Sequence, residues 1–207
     1  MRRLPLLATF IVALAVATMI GLGIWQLQRA SWKEGLLARY KAAETMPPVA
    51  FQPLATDDGL LFRRSSALCL EPVSWTVNPG RNRAGESGWH HIVSCRTGAE
   101  GPGVTLDMGW SPQWNDPVRW TGGRVTGMIT WKPDHRSLIG EAFDRGGPRG
   151  LMIVADTPAP GLRPSAFPSI ADIPNNHMAY AVQWFLFAAV AVIIYVLALR
   201  RRARRAG

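Results

Sequence analysis

Residues 4–24 read LPLLATFIVALAVATMIGLGI and residues 178–199 read MAYAVQWFLFAAVAVIIYVLAL. The first run has no charge in 21 positions, and the second has none in 22, with Gln183 as its one strongly polar side chain. A helix rising about 1.5 Å per residue needs about 20 such residues to cross roughly 30 Å of hydrocarbon, so both runs are long enough to span a bilayer. The alternative for the first run is a cleaved signal peptide, because Ala13, Ala15 and Ala17 offer the small-residue spacing a signal peptidase accepts. Against this, the apolar run continues through Met19, Ile20, Leu22 and Ile24, longer than a signal core usually is.

The charges support two spans. All 14 acidic residues lie between Glu34 and Asp172, and the stretch from Arg29 to Arg163 holds 16 of the 23 Lys and Arg residues. The other seven are Arg2, Arg3, Arg200, Arg201, Arg202, Arg204 and Arg205, so the basic character sits in two tails, one outside each apolar run. A nucleic-acid partner loses its support, since a duplex reader clusters basic residues on a folded face. Lys and Arg favour cytoplasmic flanks, which predicts a multi-pass membrane protein with both termini cytoplasmic and the middle on the opposite face, the periplasmic one for the expected bacterial cell (inner) membrane.

Moving inward from the first run, Trp25, Trp32, Leu36 and Tyr40 keep helical spacing, and Met46-Pro47-Pro48 stops it. Residues 1–24 are therefore read as a tip and first transmembrane helix, and 25–45 as its helical extension. Residues 46–156 hold short Val-, Ile-, Thr- and Trp-rich runs between Gly, Pro and Asn clusters, as strands and turns do. Six strands are predicted: Phe62 to Leu70, Val73 to Val77, Trp89 to Cys95, Val104 to Trp110, Gly123 to Trp131 and Leu151 to Asp156. Asn78 to Ser87, with two glycines, a proline and two arginines, reads as a long hairpin loop. Residues 157–176 form a Pro-rich extended connector, 177–199 the second transmembrane helix, capped by Asn175 or Asn176, and 200–207 a basic tail. The expected fold is an α+β membrane protein, in which two transmembrane helices, one near each terminus, flank a small antiparallel β-barrel or β-sandwich domain.

Cys69 and Cys95 lie in the externalised part, where an oxidising compartment permits a disulfide; two buried free thiols are the alternative. His90 and His91 are neighbours on a strand and point to opposite faces, so they cannot share one metal, and one is expected to be solvated. His135 follows Pro133-Asp134 in a turn. Gly122-Gly123 and Gly146-Gly147 read as turns, since neither has the Lys and Ser or Thr of a phosphate loop. No ordered catalytic motif appears, and the protein is not expected to be an enzyme.

The cluster that invites chemistry is Asn175 to Phe185. His177, Tyr180, Ala181 and Trp184 stand at i, i+3, i+4 and i+7 along one stripe of the second span, with small Ala181 leaving a gap between three ring systems. An ionisable group at membrane depth is a functional-site hypothesis by default. The stripe can hold a flat apolar macrocycle, with His177 as axial ligand of haem iron. In the alternative reading Tyr180 and Trp184 are interfacial belt aromatics and His177 caps the helix or faces water.

Three blocks carry a resemblance. Gly23 to Arg29 with Trp32-Lys33, then Met108-Gly109-Trp110-Ser111-Pro112, then Asn175-Asn176-His177 with Tyr180-Ala181 and Trp184-Phe185, resemble the surfeit-locus family of cytochrome c oxidase assembly proteins. The blocks stand in the family's order across nearly the whole chain. The middle block usually reads Asn-Arg-Gly-Trp-x-Pro, and here Asp107-Met108-Gly109-Trp110 stands in its place. The resemblance implies an assembly factor that binds haem a transiently, with His177 as iron ligand and Trp184 as second haem-site residue. It also implies two partners, the oxidase catalytic subunit and the haem a synthesis enzyme. A cofactor-free scaffold stabilising an oxidase intermediate is the alternative.

Overall fold

The computed structural model describes residues 5–56, 58–99, 101–133 and 149–205. Arg2, Arg3, His135 and Gly146-Gly147 lie outside the described residues. The chain divides into two compact units, one of Met1–Leu37 with Ile173–Gly207 and one of Ala38–Asp172.

The first unit is built from helix α1 (Leu6–Thr45), which continues into the second, and helix α2 (His177–Arg205). At 40 residues, α1 is about 60 Å long, so it spans the hydrocarbon and continues several turns beyond, ending one residue before Met46 as the paired prolines require. Only 6% of the most apolar window of each helix is buried, and Phe10, Leu14, Leu186, Ile193 and Ile194 are all exposed; this is the surface that lipid covers. A narrow seam is covered instead. On α1 it runs through Thr9, Val12, Val16, Met19, Gly23, Gln26 and Ala30, and on α2 through His177, Ala181, Trp184, Ala188, Ala191 and Tyr195. Steps alternating four and three are the seam of a coiled helix pair. Thr9 Oγ1 and the Tyr195 hydroxyl are 2.5 Å apart at one end, and Gln26 meets His177 at the other, so the helices are antiparallel. Between these contacts a Cβ on Gly23 would stand 2.6 Å from the Phe185 ring. Small residues at the seam let helices approach where lipid supplies no hydrophobic drive.

The second unit is one seven-stranded sheet in the order β1-β2-β6-β7-β5-β4-β3. Its strands are β1 (Val49–Ala50), β2 (Arg64–Cys69), β3 (Glu71–Arg81), β4 (Ser87–Arg96), β5 (Val104–Ser111), β6 (Gly123–Trp131) and β7 (Leu151–Ala155). All six expected strands are present, and β1 is an addition. The antiparallel barrel or sandwich is corrected to a mixed sheet that does not close. β7 inserts between β5 and β6 and so runs parallel to one and antiparallel to the other, while β1 is parallel to β2. Hydrophobic alternation reports which face is buried and carries no information on pairing direction.

The sheet is nevertheless strongly curled. Only Leu70 separates β2, which pairs with β6, from β3, which pairs with β4 on the far flank. Leu70 N–H donates to Arg96 O at 2.9 Å, and a Cys69–Cys95 disulfide, with Cα atoms 5.3 Å apart, ties the two flanks together. The concave side holds Val93, Leu106, Met108, Val125 and Ile153, all buried. The end of α1 that belongs to this unit places Tyr40 against Phe62, ring centroids 5.0 Å apart.

Asn78 to Ser87 is not a long loop: β3 continues to Arg81 and β4 begins at Ser87, leaving five residues at the turn. Gly80 and Gly88 face each other across the hairpin, and a Cβ on them would collide with the rings of His90 and Trp110, at 2.2 and 2.4 Å. These glycines make room for rings lying flat on strand backbone, which the sequence shows only as turn-like composition.

Candidate functional site

The connector returns the chain to α2 by a specific clasp. Trp110 N–H donates to Arg163 O at 2.7 Å, Arg163 N–H to Trp110 O at 2.9 Å and Ala159 N–H to Met108 O at 2.7 Å. These bonds lay residues 159–163 along the end of β5, over Gly109. Gly109 has φ of 136°, and a Cβ there would meet Leu162, Arg163 O and Pro158 within 2.9 Å, so only glycine fits. Further along, Phe167 packs on Ile92, Met152 and Val154 with the guanidinium groups of Arg83 and Arg64 over its ring at 4.3 and 5.7 Å.

Behind the clasp lies a buried polar network. Asp107 has 0% exposure; its Oδ1 accepts from Ser165 Oγ at 2.7 Å and Gly109 N–H at 3.1 Å, and its Oδ2 lies 2.7 Å from His90 Nδ1. His90 Nε2 faces Arg81 O at 2.8 Å. An acceptor oxygen lies beside each nitrogen, with poor alignment toward Oδ2. Burial alone would lower the His90 pKa, but the Asp107 hydrogen bond and charge, together with the Arg81 carbonyl, outweigh it and raise the pKa above 6.5. His91 is separate: Ser111 Oγ donates to Gln113 O at 2.6 Å, so His91 Nε2 donates to Ser111 Oγ at 2.7 Å. Its burial lowers its pKa against the pull of Asp116 and Asp107. Neither histidine is the solvated strand residue expected from sequence: β4 and β5 slip register between His90 and Ile92, and both rings go inward. His90 meets Asp107 but has no free nitrogen for general-base work.

In the helix unit, Pro174 precedes α2, and Tyr180 N–H donates to the Asn176 carbonyl at 3.2 Å. No side-chain cap from Asn175 or Asn176 is seen among the described residues; Asn175 Oδ1 is buried without a hydrogen-bond partner. His177 Nδ1 lies 2.7 Å from Gln26 Oε1 on α1. The single stripe of rings divides. His177, Ala181 and Trp184 turn toward the seam, whereas Tyr180 is 51% exposed. Ala181 is 0% exposed, so α1 fills the expected gap, and Trp184 stands edge-on to Phe187 at 6.1 Å. As a donor, His177 suits an iron ligand: one nitrogen is held and the other, Nε2, has no partner among the described residues. Gln26 is the residue that reading the chain did not single out. Its signal is present, since it is the polar position of the seam nearest the C-terminal end of the first apolar run.

The family model described as the SURF1 family matches residues 13–189. The chain belongs to the SURF1 family. It is also similar to a SURF1-like protein of Monosiga brevicollis, 22% identical over 223 residues that cover 90% of this chain and 85% of that protein. The SURF1 family is involved in cytochrome c oxidase assembly, and the chain is an α+β membrane protein in keeping with it. The departure in the middle block has a physical basis in this SURF1 member. Met108 is 2% exposed in the core, where a charged side chain would be costly, and the Asp107 carboxylate faces His90.

Proposed function

We propose that this protein holds haem a for insertion into the catalytic subunit of cytochrome c oxidase, receiving it from the haem a synthesis enzyme. The observation that carries the reading is His177 at the outer mouth of the helix pair, with Nδ1 engaged and Nε2 open. His177 supplies the axial nitrogen. Tyr180 and Trp184, one and two turns deeper on α2, border the site on its exposed and seam-facing sides. Lys33, seven residues beyond Gln26 on the same face of α1, offers positive charge to the carboxylates of the group. When bound, haem supplies an iron centre with room for a strong imidazole ligand, and the residues here bind and orient it without reacting.

The topology proposed is a bacterial inner-membrane protein with both termini cytoplasmic and the sheet domain periplasmic. Arg200 to Arg205 at the end of α2 support it, and so does the disulfide, which persists in oxidising compartments. The closing of Ala181 against α1 favours a second reading, a cofactor-free scaffold for an oxidase intermediate. Absorption spectra of the detergent-purified protein from cells that make haem a decide between them. A Soret band present in wild type and lost in His177→Ala at equal yield is expected. A wild type without haem moves the assignment to the scaffold.

A further inference from the structure

We infer that Gln26 is the positioning residue of the site, setting the tautomer and ring orientation of His177 so that Nε2 is the nitrogen offered to iron. The inference rests on the haem reading above and goes beyond it, because it gives the first helix a defined share in a site otherwise carried by the second.

An imidazole ligand needs a lone pair on one nitrogen and, for a fixed direction, a hydrogen bond on the other. The Gln26 amide oxygen only accepts, so at 2.7 Å from Nδ1 it requires the proton on Nδ1 and leaves the lone pair on Nε2. The contact joins residues 151 positions apart and exists only because the helices approach closely. Gly23, one turn before Gln26, has no Cβ to hold off Phe185. At the edge of the hydrocarbon little water competes for the amide, and the alternative for either polar group is an unsatisfied position. Partners that orient a ligating histidine typically change affinity by about 10–100-fold when removed.

The test uses the full chain in detergent, titrated with haem a, comparing wild type, Gln26→Leu, Gln26→Glu and His177→Ala. Two readouts accompany affinity: the nitrogen chemical shifts of His177 in haem-free protein, which report its tautomer, and the midpoint potential of the loaded protein. The expected result is an Nδ1–H tautomer in wild type, lost in Gln26→Leu together with about 10–100-fold in affinity. Gln26→Glu keeps an acceptor, so it should retain the tautomer and binding while shifting the potential downward, because a carboxylate makes the imidazole a stronger donor. An Nε2–H tautomer in wild type, or Gln26→Leu matching wild type in tautomer and affinity, overturns the inference while the haem reading stands. Absence of haem from wild type overturns the haem reading and the inference with it.

Discussion

The helix pair and the sheet domain use polar groups in opposite ways. In the sheet, Asp107 Oδ1 accepts from both Ser165 and Gly109 while Oδ2 lies against His90, whose other nitrogen faces the Arg81 carbonyl, so several polar groups converge on one buried carboxylate. In the helix pair the polar contacts across the seam stand singly, Thr9 with Tyr195 at one end and Gln26 with His177 at the other. The second of these leaves a nitrogen over. The sheet gathers its polar groups into a network, whereas the helix pair keeps them apart.

The sharpest way to break this contrast is Asp107→Ala. It leaves His90, the Ser165 hydroxyl and the Gly109 N–H without the fully buried carboxylate they share and should destabilise the sheet domain by about 3–5 kcal/mol, read from denaturant unfolding followed by near-ultraviolet dichroism, while helix content in detergent is kept. Equal loss of helix would show that the two regions do not unfold separately. Next in size, replacing both cysteines by serine removes a loop closure of 26 positions, worth about 3.5 kcal/mol by chain entropy. Reductant should lower the wild-type unfolding midpoint and leave that of the double variant unchanged.

His90 and His91 give the sheet a pH signature. His90 has its pKa raised on folding, so its contribution is complete below the unfolded value near 6.5 and is lost as pH rises through the higher folded value. His91 has its pKa lowered, so its contribution is complete above 6.5 and is lost as pH falls through the lower folded value. Stability should therefore plateau around pH 6.5 and fall on both sides. His90→Gln should remove the alkaline fall, and His91→Asn the acidic one; a variant that keeps its limb refutes the assignment. The smallest effect is expected in the seam, where Thr9→Val should cost about 0.6 kcal/mol, measured by helix-pair unfolding in detergent. A cost several times larger would mean that seam bonds resemble those of the sheet.

Much of this was legible in the chain. The two spans, the helix reaching Thr45, six strands and the connector follow from hydropathy and proline placement, which act locally. The mixed sheet was not legible, because β7 enters between β5 and β6 only after both exist. Nor was the Asn78–Ser87 hairpin, whose glycines answer to the rings of His90 and Trp110. His177 stood out as an imidazole at membrane depth, but its partner did not, since no local pattern links position 26 to position 177. The gap expected at Ala181 failed for the same reason: a small residue marks either a cavity or a close neighbour, and the helix stripe looks alike in both cases.

The amino-acid sequence by itself determined the membrane segments, six of the strands and the family blocks, because burial in lipid and strand propensity are properties of short stretches, while α2 runs past the expected residue 199 to Arg205. The tertiary structure alone decided strand direction, the curl fastened by Cys69 and Cys95, the clasp over Gly109 and the approach of Gln26 to His177. Each depends on a group far away in the chain being brought within about 3 Å, the reach of a hydrogen bond, and that proximity exists only once the chain has folded.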